Sequence, residues 1–310
     1  MMSKEKMKGH LLIFLANVLF AVNMPISKYL LPGHLTPEAL TIMRMLFACV
    51  MFWITSLFVR KEHVPLKDIG LLFICAFCGI ALNQGLFIQG LNVTSPIDAS
   101  IIATGVPIFV MILAAIILKE PITRQKAFGV FLGIGGAVML ILQSADGGTK
   151  ASSLAGNLMI VTSGLSYSVY LVLSKPLTEK YSSVTIMKWM FLFASLMLLP
   201  FTFNHIAESP AFQHGGIDLK EVSAIAYVLF GATFLPYLLI PMSLKRIRPT
   251  TVSMYNYVQP IVASLITVLV GQDTFGPLKL LAAALVFVGV YLVTQSKSRA
   301  DLEREQEENK

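Results

Sequence analysis

From His10 to Leu31 the chain reads HLLIFLANVLFAVNMPISKYLL, a stretch with one lysine and no acid. As a helix rising 1.5 Å per residue it would reach about 33 Å, enough to cross the roughly 30 Å hydrocarbon core of a bilayer. Nine more stretches of this kind follow, near 37–59, 69–90, 95–118, 125–143, 154–174, 183–203, 222–241, 250–270 and 276–296. Lipid offers no hydrogen-bond partners, so each stretch must close its own backbone bonds, which a helix does. The expected fold is an all-α membrane protein with ten transmembrane helices. Composition agrees: 55% of residues are hydrophobic and 13% charged, about half the charge of ordinary soluble domains, and the mean hydropathy is +0.74.

The formal charge of +7 does not point to nucleic acid, because its distribution follows the bilayer. With the N-terminus inside, 18 Lys and Arg residues fall in cytoplasmic segments. Only Lys150, Lys220 and Lys279 fall outside, and Lys28, Arg44 and Lys188 lie within or at the ends of spans. This bias puts both termini in the cytoplasm. The first apolar run is too long for a signal peptide and lacks a small-residue cleavage site, so it is read as a retained span. Cys49, Cys75 and Cys78 all lie in spans; the Cys75/Cys78 pair has no second thiolate or histidine pair beside it and is read as packing rather than as a metal or redox site. No cofactor is expected.

The second half repeats the first. A shift of 153 residues matches Pro96 with Pro249, Ser100 with Ser253, Pro107 with Pro260, Lys126 with Lys279 and Gly136 with Gly289. A shift of 144 matches TIMRMLF at 41–47 with TIMKWMF at 185–191, so Arg44 answers to Lys188. Five spans per repeat is an odd number, which turns the second copy over; the expectation is two inverted five-helix repeats with a solute site near the midplane.

The segments FAVNMPISKYL, LTIMRMLFA and ASIIATGVPIFVMILAAIILKEPITRQKAFGVFLGIGGAVML resemble the first EamA-type repeat of the drug/metabolite transporter superfamily. GLSYSVYLVLSKPL, LKRIRPTTVSMYNYVQPIVASLITVLVGQD and ALVFVGVYLV resemble the second. The resemblance covers about residues 9–296 and divides the chain into 1–147 and 148–297, followed by a charged cytoplasmic tail at 298–310. It implies a bacterial inner-membrane carrier of small molecules. The second copy departs from the pattern at Gly271-Gln272-Asp273, and has Leu278 and Ala282 where the first has Gln125 and Gly129.

Helical spacing selects the residues that would line a pathway. Pro107 and Pro260 each remove a backbone donor, freeing the carbonyls of Ala103 and Asn256, and are expected to kink spans 4 and 9. On span 9 Ser253, Asn256, Tyr257 and Pro260 share one face, matched on span 4 by Ser100, Thr104 and Pro107. Span 6 carries Ser163, Tyr167 and Tyr170; span 1 carries Asn17, Phe20 and Asn23; span 3 brings Asn83 and Gln84, and span 8 brings Tyr237. Aromatic rings, amides and hydroxyls gathered without a carboxylate suit an amphipathic or zwitterionic solute. Single polar residues of this kind are often interhelical glue, so the set carries the reading.

A charge deep in a span is costly and marks function. Arg44 is expected to pair with Asp98, which enters from the same side, or to snorkel outward along its own stem, and to clamp the outer ends of spans 2 and 4 in one access state. Lys188 finds Thr251 where Asp98 has its repeat partner and is read as an anchor at the interface or a weak attractor of a substrate carboxylate. Gly129, Gly133 and Gly136 form a small-residue stripe for close helix packing; a monomer is expected, with a homodimer face as the alternative. No acid or histidine reaches the midplane as a proton relay. No HExxH, GxSxG or Walker pattern supports catalysis. The expected function is secondary transport, most simply export of amino acids or related metabolites, with drug efflux as the alternative and a non-transporting scaffold as a remote one.

Overall fold

The computed structural model describes residues 4–30, 34–93, 102–143, 154–202, 209–210, 218–269 and 277–297, and every regular element among them is helical. In chain order these are α1 (Lys4–Leu30), α2 (Pro37–Ser56), α3 (Leu66–Ala76), a π-helical segment (Phe77–Leu82) and α4 (Asn83–Val93), then α5 (Val106–Ile117) and α6 (Arg124–Gln143). The second half has α7 (Leu154–Lys180), α8 (Ser183–Thr202), α9 (Leu219–Ala226), a second π-helical segment (Tyr227–Phe234) and α10 (Leu235–Leu244). It ends with α11 (Pro249–Met254), a 3-10 turn (Tyr255–Tyr257), α12 (Val258–Leu269) and α13 (Pro277–Gln295). Five continuous helical stretches, Pro37–Ser56, Leu66–Gly90, Leu154–Lys180, Ser183–Phe201 and Leu219–Leu244, are long and apolar enough to cross a membrane, and shorter apolar helices accompany them.

Local signals set the ends. Thr36 caps α2 by accepting from the Ala39 N–H at 3.2 Å, and Pro37 takes the first turn, where no backbone donor is needed. Asp218 and Glu221 form a reciprocal capping box at α9. At the end of α5, Lys119 turns to φ 55° and the Glu120 N–H reaches back to the Ala114 carbonyl at 3.1 Å, which aims the Glu120 side chain at the next helix. α7 continues past the expected end at 174, through Pro176, to Lys180; Lys175 then reaches across to the Leu244 carbonyl at 2.8 Å.

The halves interlock by exchanging their first helices. α1 packs mainly on α10 and α12 of the second half, and α7 on α4 and α5 of the first; α2 crosses α8, and α6 lies along α13. The main core joins Phe52, Phe191, Phe234, Tyr170 and Tyr237 from both halves, and a second cluster surrounds Tyr257, Met254 and Met111. The glycine stripe of α6 is used within the chain. A Cβ at Gly289 would stand 2.5 Å from the Gly129 carbonyl, one at Gly136 2.5 Å from the Ala282 carbonyl, and one at Gly133 2.4 Å from the Tyr257 ring.

Apart from polar contacts nearer the middle of the helices, two groups of contacts tie segment ends together, and they share no residue among the described ones. One group ties Glu5 to Arg246, Gly9 to Ser243, Glu62 to Ser182, Asp68 to Lys180 and Tyr181, and Glu120 to Lys126 and Thr250. The other ties His34 to Glu221, Thr36 to Ser209 and Lys220 to the face of Tyr29. In the first group burial acts to raise the Glu62 pKa, but bonds from the Thr185 hydroxyl and from the amide and hydroxyl of Ser182 outweigh it and hold the carboxyl below its usual value.

Two outcomes follow. Gly289→Val should lower the melting temperature of the detergent-solubilised protein by separating α6 from α13, an overpacking cost of about 1–3 kcal/mol; Gly135→Val, with nothing within 4 Å of its Cβ, should leave it unchanged. Because the folded state depresses the Glu62 pKa, its contribution is complete above the unfolded value of about 4.3 and is lost as pH falls through the folded value. A melting series from pH 7 to pH 3.5 should therefore show a smaller acid-side fall in Glu62→Gln than in the parent.

Candidate functional site

Both π-helical segments lie where helices of the two halves meet, and each has a carbonyl bonded by a side-chain hydroxyl. The Thr233 hydroxyl donates to the Val228 carbonyl at 2.7 Å, and Ser166 of α7 donates to Cys78 at 2.7 Å. The second segment runs into Pro236, which cannot donate to the carbonyl four residues back. In the first copy Asn83 stands at that position, and Gly79 admits the Tyr170 ring, which a Cβ would meet at 2.4 Å.

Between these segments lies a polar cluster built from both halves. Arg44 is 7% exposed; its Nε donates to the Thr233 hydroxyl at 2.8 Å, and its Nη1 lies 3.5 Å from Gln84 Oε1. Gln84 in turn donates from Nε2 to the Tyr237 hydroxyl at 2.9 Å. Asn83 and Ser163 bond reciprocally: Asn83 Nδ2 donates to the Ser163 hydroxyl at 2.9 Å, and that hydroxyl donates to the Asn83 carbonyl at 2.9 Å. Phe20 meets Tyr237 edge-on at 6.2 Å, and Tyr167 lies 5.7 Å from Tyr170 between ring centroids. The Tyr170 hydroxyl is buried without a hydrogen-bond partner; the nearby Ser174 hydroxyl is turned to the Leu171 carbonyl instead.

Other expected site residues are spent elsewhere. Asn17 donates to Ile13 and accepts from Gln259 at 2.8 Å, joining α1 to α12. Asn23 accepts from Ser27, one turn away, at 3.1 Å. Ser253 is buried and bonds the Thr250 carbonyl within its own helix. Tyr257 donates to the Thr104 carbonyl at 2.9 Å with its ring against Gly133, whereas Asn256 is half-buried in the 3-10 turn. Pro107 and Pro260 stand in helical stretches that become irregular just ahead of them. Each occupies the first turn of the helix that follows an irregular step, at Thr104–Gly105 and Tyr255–Tyr257, because a proline fits where no backbone donor is required.

Ser100 and Asp98 lie outside the described residues, and with them the Arg44–Asp98 pair. Lys188 does not face the cluster. Its ammonium lies 5.2 Å from the Trp53 ring and 6.0 Å from Trp189, so a cation–π seat among rings takes the place of an acid. Thr233 and Gln259 were invisible to the repeat comparison, since Ile80 and Val106 stand at the matching positions. Two open clefts of about 350 and 440 Å³ lie at the seams of α9 with α2 and α1. The first is lined only by apolar side chains such as Met43, Phe47 and Phe230, as suits lipid contact, and the second includes Tyr29, Lys220 and Ser223.

The model of the EamA-like transporter family matches residues 7–142 and again 154–295. The chain belongs to the EamA-like transporter family. Its relatives include the uncharacterized transporter YyaM of Bacillus subtilis, 25% identical over 86% of this chain and 86% of that one. They also include the uncharacterized transporter YetK of the same organism, 22% identical over 84% and 78%. Protein WALLS ARE THIN 1 of Arabidopsis thaliana is 25% identical over 90% of this chain and 78% of that protein. A solved crystal structure superposes with a TM-score of 0.75 at 18% identity, covering 92% of this chain and 96% of the other, a likeness of fold. The protein is thus a multi-pass membrane protein of a transporter family rather than of an enzyme family.

The reciprocal Asn83–Ser163 pair should couple energetically. In melting experiments Asn83→Ala and Ser163→Ala should be non-additive by about 0.6–1.7 kcal/mol, the range measured for hydrogen bonds between membrane helices.

Proposed function

We propose that this protein is a secondary transporter of the bacterial inner membrane that exports small amphipathic or zwitterionic metabolites such as amino acids. Two inverted five-helix halves, 1–147 and 148–297, rock about the polar cluster and open it to each side in turn. The observation that carries this reading is the meeting of residues the repeat makes equivalent. Gln84 bonds Tyr237, and Tyr257 bonds Thr104, and each pair is separated by 153 positions, the repeat shift itself. Equivalent residues touch only near a symmetry axis, so an axis through the cluster accounts for both contacts. The same operation relates the approach of Gly129 to Gly289 with that of Ala282 to Gly136.

Ten crossings with both termini in the cytoplasm are supported by the two groups of polar contacts. Every segment in the first group belongs to the set holding the 18 cytoplasmic cations, and every segment in the second to the opposite set.

Among the described residues no acid or histidine belongs to the cluster, which supports exchange or facilitated diffusion over proton coupling. The purified protein in proteoliposomes should catalyse counterflow of a labelled amino-acid mixture, and counterflow should persist when the pH gradient is collapsed. Absence of counterflow for amino acids, nucleosides and quaternary amines alike would remove the transport reading; strict dependence on the gradient would remove uncoupled exchange.

A further inference from the structure

We propose that Arg44 is the receptor for a substrate carboxylate, so that the carrier selects monocarboxylate solutes and does not require a substrate ammonium; this rests on the transport reading above. A guanidinium withdrawn from water has to be compensated, and a cation left with neutral partners is destabilising. Arg44 is 93% buried by its 7% exposure, yet its partners are a hydroxyl and an amide, Thr233 and Gln84. Its second terminal nitrogen, Nη2, has no partner among the described residues. The described acids nearest in character are committed elsewhere: Glu120 to Lys126, Asp68 to Lys180 and Tyr181, Glu62 to Ser182, and Glu221 to His34.

The neutral partners hold the fork in place without satisfying its charge. Thr233 takes Nε and is fixed by its own bond to Val228, while Gln84 is fixed by Tyr237. That leaves Nη2 and the second hydrogen of Nη1 for a planar acceptor, and a carboxylate matches that geometry with two parallel bonds. One cation fits one negative charge; Lys188, the repeat partner, is engaged by Trp53 and Trp189. Phe20 and Tyr167, both half-buried beside Tyr237 and Tyr170, supply apolar surface for the body of the solute. No described acid joins the cluster to hold an ammonium, so the amino group of an amino acid adds nothing here.

The test uses the full chain in nanodiscs and four compounds that share an isobutyl side chain, leucine, 4-methylpentanoate, leucinamide and 3-methylbutylamine, with inorganic phosphate as a fifth arm. Leucine and 4-methylpentanoate should both raise the melting temperature; leucinamide, the amine and phosphate should not. Arg44→Gln should weaken binding of both acids by about tenfold to a hundredfold, the value of a hydrogen bond to a charged group, and Arg44→Lys should retain part of it. If the variants do not fold, the parent series decides by itself. Stabilisation by the amine or amide equal to that by the acids overturns the proposal. So does preference for phosphate, failure of either acid to bind, or undiminished acid binding by a folded Arg44→Gln. Counterflow assays separate the two readings: flux without a carboxylate preference leaves transport standing and removes this inference, whereas acid binding without flux removes transport alone.

Discussion

Within a bilayer a backbone carbonyl that leaves its helix ladder has to find another donor in the protein, and this constraint organises the centre of the molecule. The chain departs from α-helix at Phe77–Leu82, Thr104–Gly105, Tyr227–Phe234 and Tyr255–Tyr257. At three of these places a side-chain hydroxyl answers a carbonyl: Ser166 to Cys78, Tyr257 to Thr104 and Thr233 to Val228. Two of the three donors come from the opposite half, so repairing the backbone also fastens the halves. The third, Thr233, passes the constraint on by fixing Arg44. The polar cluster is therefore a consequence of irregular backbone rather than a set of polar residues added to regular helices.

The two halves share a plan and divide the labour. Arg44 and Lys188 occupy matching places in one repeated phrase, yet the first turns to Gln84 and Thr233 and the second to Trp53 and Trp189. A flexible ammonium beside two indoles gains from their faces. A planar guanidinium needs acceptors arranged in its plane, and the second π-helical segment provides one. The copies differ in the same way at 83 and 236, where an asparagine bonding Ser163 answers a proline.

Much of the plan was legible in the sequence because it rests on period and number. Apolar run length pointed to membrane-crossing helices, of which five among the described residues are long and apolar enough to cross, and the family match falls twice along the chain, as the shifts of 153 and 144 suggest. The glycine stripe of α6 was legible as a packing face, and it packs on α13. The polar cluster was legible in residue type more than in detail. Gln84, Tyr237, Asn83, Ser163, Phe20 and Tyr170 do gather, but Asn17 and Ser253 are consumed by helix contacts. Thr233 and Gln259 carried no signal, since their repeat partners are aliphatic and a lone hydroxyl or amide in a span is ordinary.

The sequence by itself determined that this chain lives in a bilayer, that its second half echoes its first, and which residue types are available at depth. Those properties follow from the free energy of moving groups out of water, which depends on composition and spacing alone. Only the tertiary structure decided which of those residues face one another. It set Arg44 among neutral partners and Lys188 against indoles, and it placed an irregular step at Thr104–Gly105, just ahead of α5. A hydrogen bond is satisfied by direction and by distances near 3 Å, and those are settled when the helices of the two halves pack, not when each is read along its own length.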